Sequence, residues 1–270
     1  TGVEALAGID LRPADRTLVG VTTDGRIVTI DRDGAEATAV STLSAPLPEG
    51  EGPVIVDFNP MADRMRLMRG VANHRVNADT GEATVDGALA FEAADMHAGE
   101  APNIVAAAYT NAFGKPEATA MYDIDATIGA LIRQTKPNDG TLAAVGKLGI
   151  AQPAETWAFD IHTSEDGTNA AWLVNGTTLY AVDLETGAAT PAGEIGEAGG
   201  AIQASPCGGT PWPSRAPRSP PPPGRSPGGG HPAETPRKTR PRRRLETGWK
   251  PACHSSDESP SRAGWDPAIA

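Results

Sequence analysis

Three aspartates recur at one position of a repeated strand pattern, where carboxylates could hold a metal ion. They occur in the triplets Ile9-Asp10-Leu11, Val56-Asp57-Phe58 and Phe159-Asp160-Ile161. If this strand is the innermost one of each repeat, the three carboxylates meet at a central channel. Because Ca²⁺ prefers several oxygen ligands, Asp10, Asp57 and Asp160 are the candidate Ca²⁺ ligands. The alternative, which the sequence favours, is that each carboxylate bonds backbone N–H groups of a neighbouring turn.

The other residues whose side chains could take part in catalysis form no catalytic pattern. A second aspartate follows each of the three after five or six residues and is predicted to cap a turn: Asp15, Asp63 and Asp166. The histidines are scattered, and no HExxH pair, G-x-S-x-G elbow or phosphate-binding glycine loop occurs. The sequence therefore predicts no catalytic residue and no cofactor. It favours a non-catalytic binding or structural protein over a metal-dependent hydrolase or lactonase with a carboxylate-bound divalent cation.

The elements that must position these aspartates form a unit that recurs four times. Its third strand ends at an aligned Asp31, Asn77, Asp125 or Asp183, and these residues are 46, 48 and 58 positions apart. Strand residues alternate, as in the stretch 26–30 that reads RIVTI. A period near 45 residues with several short strands indicates a β-propeller. The predicted fold is therefore all-β, with four visible four-stranded units.

The turns and linkers between strands carry further signals. Gly81 and Gly187 follow an Asn or Asp by four residues, and we predict a positive φ at both, closing Asx-type turns. The Ala-rich stretch Ala88–Ala98 is predicted to be a brief helix or a loop between units. In the third unit no Asp occupies the first strand; we expect Tyr109 to pack between blades and Asn111 to cap a turn, although both could line a ligand surface.

Composition divides the chain near residue 203. Residues 1–205 hold 12 Lys and Arg against 29 Asp and Glu, whereas residues 206–270 hold 11 against 5. The acidic part argues against nucleic acid as a partner, and no apolar run is long enough for a membrane span. We predict a propeller-like domain at 1–203 and a disordered Pro- and Arg-rich tail at 204–270. Because the repeat stops inside a strand, a frameshift is the favoured origin of this tail.

Several long motifs resemble a bacterial family known as domain-of-unknown-function family 4394. They include GIDLRPADRTLVGV, VDFNPMADRMRLM and TLYAVDLETGAATPAGEIG, and the resemblance runs from Gly2 to Ile202. It implies a propeller-like protein, extracellular or in the cell envelope, with no established activity, although this chain shows no signal peptide. It also implies one more unit before the first and a closing strand after the last. We therefore predict an incomplete ring whose open blade edges favour self-association; other partners stay unknown.

Overall fold

Alternating apolar and β-branched residues build seventeen strands and no helix in residues 5–196, the part of the chain that this computed structural model describes. The strands form four sheets, which are the four blades. All described residues belong to one compact unit. The predicted tail, 204–270, lies outside the described residues. None of residues 5–196 forms a helix that is long and apolar enough to cross a membrane.

The first two blades are regular four-stranded antiparallel sheets. Blade 1 contains β1 (Leu6–Leu11), β2 (Leu18–Thr22), β3 (Arg26–Ile30) and β4 (Ala37–Thr42). Blade 2 contains β5 (Ile55–Asn59), β6 (Arg64–Arg69), β7 (Ala72–Val76) and β8 (Ala83–Val85).

The other two blades follow the same antiparallel order, with one addition. Blade 3 contains β10 (Ile104–Tyr109), β11 (Met121–Asp125), β12 (Ala130–Lys136) and β13 (Thr141–Lys147), with β9 (Ala90–Phe91) at its outer edge. Blade 4 contains β14 (Trp157–Thr163), β15 (Asn169–Asn175), β16 (Thr178–Val182) and β17 (Ala189–Glu194). The innermost strands β1, β5, β10 and β14 are neighbours in that order. The predicted all-β fold with four propeller units is confirmed.

The Ala-rich stretch, predicted to be a brief helix or a loop between units, is a linker that contains the two-residue strand β9, which is additional to the four strands predicted for each unit. Strand β9 pairs with β13 in parallel. The backbone N–H groups of Ala90 and Glu92 donate to the carbonyls of Gly140 (2.9 Å) and Leu142 (2.8 Å). Phe91 is thereby buried between the blades. The linker between blades 2 and 3 thus covers the outer edge of blade 3 and removes an unpaired strand edge.

The core consists of three apolar clusters, and each lies between two consecutive blades. Because successive side chains of a strand point to opposite faces, one strand contributes residues to two clusters. Val56 of β5 faces blade 1 and Ile55 faces blade 3. None of the three clusters joins blade 4 to blade 1 within residues 5–196. Leu6 of blade 1 and Trp172 of blade 4 are 45% and 36% exposed, and self-association through these faces stays a prediction.

The Asx turn predicted at the end of the third strand occurs there in blades 1, 2 and 4, whereas the aligned Asp125 ends β11, the second strand of blade 3. Asp31, Asn77, Asp125 and Asp183 each accept backbone N–H groups two or three residues ahead, at 2.8–3.3 Å. The predicted positive φ is confirmed at Gly81 (76°) and Gly187 (79°). In blade 1 the same place is held by Ala35, whose φ is 53°. An L-residue with a Cβ atom is strained there.

Replacing Ala35 with glycine is expected to stabilise the domain by about 0.5 kcal/mol, because relief of the left-handed strain exceeds the added chain entropy of glycine. Thermal unfolding of the two proteins measures the change. Ala39→Gly, in the exposed strand β4, is the matched control and is expected to destabilise. If Ala35→Gly lowered the melting temperature as much as the control does, the turn would carry no such strain.

Candidate functional site

The three aspartates singled out by the repeat come together at the centre of the propeller. Asp10 (β1) and Asp57 (β5) are 7% and 9% exposed, and Asp160 (β14) is partly exposed. All three line two narrow cavities of about 60 Å³ and about 30 Å³. Such volumes hold a few water molecules or an ion, but not a sugar or a nucleotide.

Hydrogen bonds from backbone groups occupy these carboxylates. Asp10 accepts the N–H of Phe58 in blade 2 at 2.6 Å and that of Leu11 at 2.6 Å. Asp57 accepts the N–H of Tyr109 in blade 3 at 3.0 Å. Each of these two aspartates thus joins its own inner strand to the inner strand of the next blade. The interblade donors lie in strands and not in the neighbouring turn that the sequence predicts.

The inner strand of blade 4 has an aspartate at this position, and the inner strand of blade 3 does not. Asp160 accepts the N–H of Ile161 at 2.8 Å, as Asp10 does for Leu11. The alignment of the inner strands places Ala108 in blade 3 where the other blades have aspartate. His162 lies two residues after Asp160 on the same strand face and lines the smaller cavity.

Burial shifts the titration of the channel carboxylates. Desolvation raises the pKa of Asp10 to about 8, and the negative charge of Asp160 adds to this increase. Desolvation also raises the pKa of Asp57 well above its usual value, with further increases from Asp10 and Asp160. The buried Asp123 of β11 has its pKa raised to about 7, again mainly by desolvation. A neutral carboxylic acid at the channel avoids the cost of a buried charge.

The metal assignment of Asp10, Asp57 and Asp160 stays a prediction. The three side chains line the same two cavities and are therefore near one another. Within residues 5–196, no group of three or more His, Cys, Asp or Glu side chains has the arrangement of a metal site.

The turn aspartates are structural, as expected, with one difference. Asp15 and Asp166 accept the N–H groups of Thr17 and Thr168, each at 2.9 Å. Asp63 instead accepts two hydrogen bonds from the Arg12 guanidinium, at 2.7 and 2.5 Å. Arg12 also donates to Asp79 at 2.8 Å. The difference arises because this turn faces blade 1, so that an ion pair joins blades 1 and 2 at the surface.

Sequence reasoning missed a buried arginine between blades 2 and 3. The Arg66 side chain is 2% exposed and donates from Nη1 to Asp86 (2.6 Å) and Asn73 (2.9 Å). Its Nε donates to the Tyr109 hydroxyl (3.3 Å) and its Nη2 to Asn138 (3.0 Å). The guanidinium therefore bridges the two blades, with its charge matched by the buried Asp86 carboxylate.

Arg66 lines a polar cleft of about 470 Å³ between blades 2 and 3. This volume is within the range of small-molecule sites. The buried members of its lining are Arg66, Tyr109, Met121 and Gln134. The more exposed members include the cationic Arg133 and Lys136 and the amide Asn138. This cleft, rather than the channel, has room for an organic ligand.

Two solved structures resemble this chain distantly, and each match covers less than half of the solved protein. A protein of unknown function from Bacteroides thetaiotaomicron is 16% identical, with a TM-score of 0.46, and the match covers 69% of this chain and 47% of that one. An auxiliary nutrient binding protein from Bacteroides ovatus is 10% identical, with a TM-score of 0.42, over 71% and 47% of the two chains. The chain thus spans about half the length of the solved structures that it resembles. No curated protein sequence matches it.

The family described as "Domain of unknown function (DUF4394)" matches residues 1–204, which include all four blades. This match covers the motifs on which the sequence resemblance depended, from the first inner strand to the last turn. The chain therefore belongs to this family.

Proposed function

We propose that this domain is a non-catalytic propeller that binds a ligand or serves a structural role, outside the cell or in the cell envelope. The observation that carries this proposal is the use of the channel carboxylates. Asp10 and Asp57 accept backbone N–H groups of the next blade, and burial favours their neutral form. Each of these two carboxylates thus has a structural role between blades that requires neither a metal nor a substrate. The proposed location rests on the family resemblance alone.

A metal-dependent hydrolase or lactonase is the second candidate. Three carboxylates and His162 line one narrow cavity at the channel, and a divalent cation there would relieve their mutual repulsion. The cation would polarise an ester carbonyl or lower the pKa of a bound water. The narrow channel argues against this function, because the substrate would have to react at the mouth of the cavity.

Calorimetric titration of the full chain with Ca²⁺ separates the two functions. We expect neither the wild type nor the triple variant Asp10→Asn, Asp57→Asn, Asp160→Asn to give binding heat, and neither to hydrolyse lactones or aryl esters. The unfolding temperature of the wild type should not change with about 10 mM Ca²⁺, which exceeds the dissociation constants of weak extracellular calcium sites. Ca²⁺-dependent heat that the triple variant loses would instead establish a metal site in the channel, and Ca²⁺-dependent turnover that it also loses would establish the metal-dependent enzyme.

A further inference from the structure

The polar cleft between blades 2 and 3 has an unusual charge for this domain. Only 12 of residues 1–205 are Lys or Arg, against 29 Asp and Glu. Three of those cations line the cleft: Arg66, Arg133 and Lys136. Asp139 is the one carboxylate residue in the lining. Because Asp86 already matches the charge of Arg66, Arg133 and Lys136 supply the available positive charge of the cleft in this strongly acidic domain.

The lining offers more hydrogen-bond donors than acceptors. A guanidinium has five N–H groups, and Arg66 uses four of them on Tyr109, Asn73, Asp86 and Asn138. Within the described part of the chain, the side chains of Arg133 and Lys136 have no ion pair or hydrogen bond. The Asn138 amide accepts from Arg66 but donates to no described residue. A ligand rich in acceptors and negatively charged would satisfy these donors.

The buried Gln134 adds one acceptor to the floor of the cleft. Its side chain is 3% exposed, and its Nε2 donates to both carboxylate oxygens of Asp123, at 3.1 and 2.9 Å. Its Oε1 has no hydrogen-bond partner among the described residues. A buried acceptor without a donor costs about 1–3 kcal/mol. A hydroxyl group of a ligand that reaches this oxygen would recover part of that cost.

We infer that this cleft binds a carboxylate-bearing polyol of monosaccharide size, that is, a sugar acid. The carboxylate is placed against Arg133 and Lys136, since a planar carboxylate matches the fork of a guanidinium and no described residue engages the donors of these two side chains. The hydroxyl groups are placed against Gln134, Tyr109 and Asn138. This inference deepens the proposed binding role by naming its site and ligand class.

The floor of the cleft is already ordered before a ligand arrives. Four acceptors on two blades hold the Arg66 side chain, so that binding does not have to immobilise it. The conformational entropy of the Arg66 side chain is therefore lost on folding and not on ligand binding. Lys136 and Arg133 are exposed and can be changed without removing an interblade contact, which makes them suitable for a test.

The test titrates the full chain with galacturonate and follows the backbone amide NMR signals. We expect saturable shifts at Gln134 and Lys136 with a dissociation constant of about 1 mM or tighter, and at least about tenfold weaker binding of glucose, which lacks the carboxylate. The double variant Arg133→Gln, Lys136→Gln should weaken galacturonate binding by about tenfold or more, with an unchanged melting temperature. Arg32→Gln, an exposed cation in blade 1, is the control and should bind as the wild type does.

Three results would overturn the inference. They are the absence of shifts at the cleft residues, equal affinity in the double variant and the wild type, and displacement of galacturonate by an equal concentration of inorganic phosphate. In the last case the cleft holds any anion. None of them touches the proposed non-catalytic function, which fails only if the chain turns over a substrate. Unchanged melting temperatures in the variants ensure that lost binding is not lost folding.

Discussion

Replacing Gly81 with valine is expected to lower the melting temperature by about 10 °C, the largest effect of any single change considered for this domain. Gly81 has a φ of 76°, where a β-branched side chain costs about 1–3 kcal/mol. A Cβ atom there would also lie 1.9 Å from the carbonyl oxygen of Thr42 in blade 1. Because that neighbour is backbone, only separation of blades 1 and 2 relieves the clash. Strain and clash together are expected to destabilise the domain by about 3–5 kcal/mol. Each kcal/mol lowers the melting temperature of a domain of this size by about 2–4 °C.

A series of alanine variants separates backbone strain from the clash. Gly167 has a φ of 82° with no atom within 4 Å of an added Cβ, and Gly193 has neither the positive φ nor a close atom. We expect Gly193→Ala to be near neutral and Gly167→Ala to cost about 1 kcal/mol. Gly81→Ala should cost clearly more than both by thermal or urea unfolding. Equal losses for Gly81→Ala and Gly167→Ala would contradict the close approach of the two blades.

The free energy of unfolding is expected to fall as the pH rises from about 5 to about 8.5. Burial raises the pKa of Asp10 to about 8 and that of Asp123 to about 7. Between the usual carboxyl pKa and these values, the unfolded chain has lost protons that the folded chain keeps. Folding is therefore linked to proton uptake, and a higher pH favours unfolding. A loss on the order of 2 kcal/mol corresponds to about 4–8 °C in melting temperature.

Asp10→Asn identifies the group responsible for this dependence. Near pH 5 the variant should be less stable than the wild type, because an amide replaces one of the two acceptor oxygens. Near pH 8.5 the difference should shrink or change sign, because the amide has no charge to bury. Asp166→Asn is the control: the pKa of this exposed carboxyl is lowered to about 2, chiefly by the Ser164 hydroxyl, so its effect should not vary above about pH 5. A constant difference between wild type and Asp10→Asn would assign the pH dependence to other groups.

The repeat made the fold and the channel aspartates predictable. Strand alternation and a period near 45 residues determine the blade, and the innermost strand of a blade must face the centre. Asp10, Asp57 and Asp160 could therefore be placed together without coordinates. His162 could have been placed with them by the same alternation, because it lies two residues beyond Asp160 on one strand.

The cleft could not be predicted in the same way. The stretch 64–69 reads RMRLMR, and such alternation normally indicates one buried and one solvent-exposed strand face. In a propeller, both faces of a blade are covered by neighbours. Arg66 is therefore buried against blade 3, where it meets Asn138 of a turn 72 residues away in sequence. Neither the double coverage nor this long-range pairing leaves a local pattern.

The most direct test of the account is a site-specific pH titration of the Asp10 and Asp57 carboxyl carbons by NMR, with and without Ca²⁺. These carboxyl groups accept backbone N–H groups of the next blade, and burial favours their neutral form. We therefore expect a midpoint of about 8 for Asp10 and a midpoint well above 3.8 for Asp57, both unchanged by about 10 mM Ca²⁺. Midpoints near 4 for both groups, or a fall of both when Ca²⁺ is added, would contradict this expectation and establish a charged, cation-binding channel.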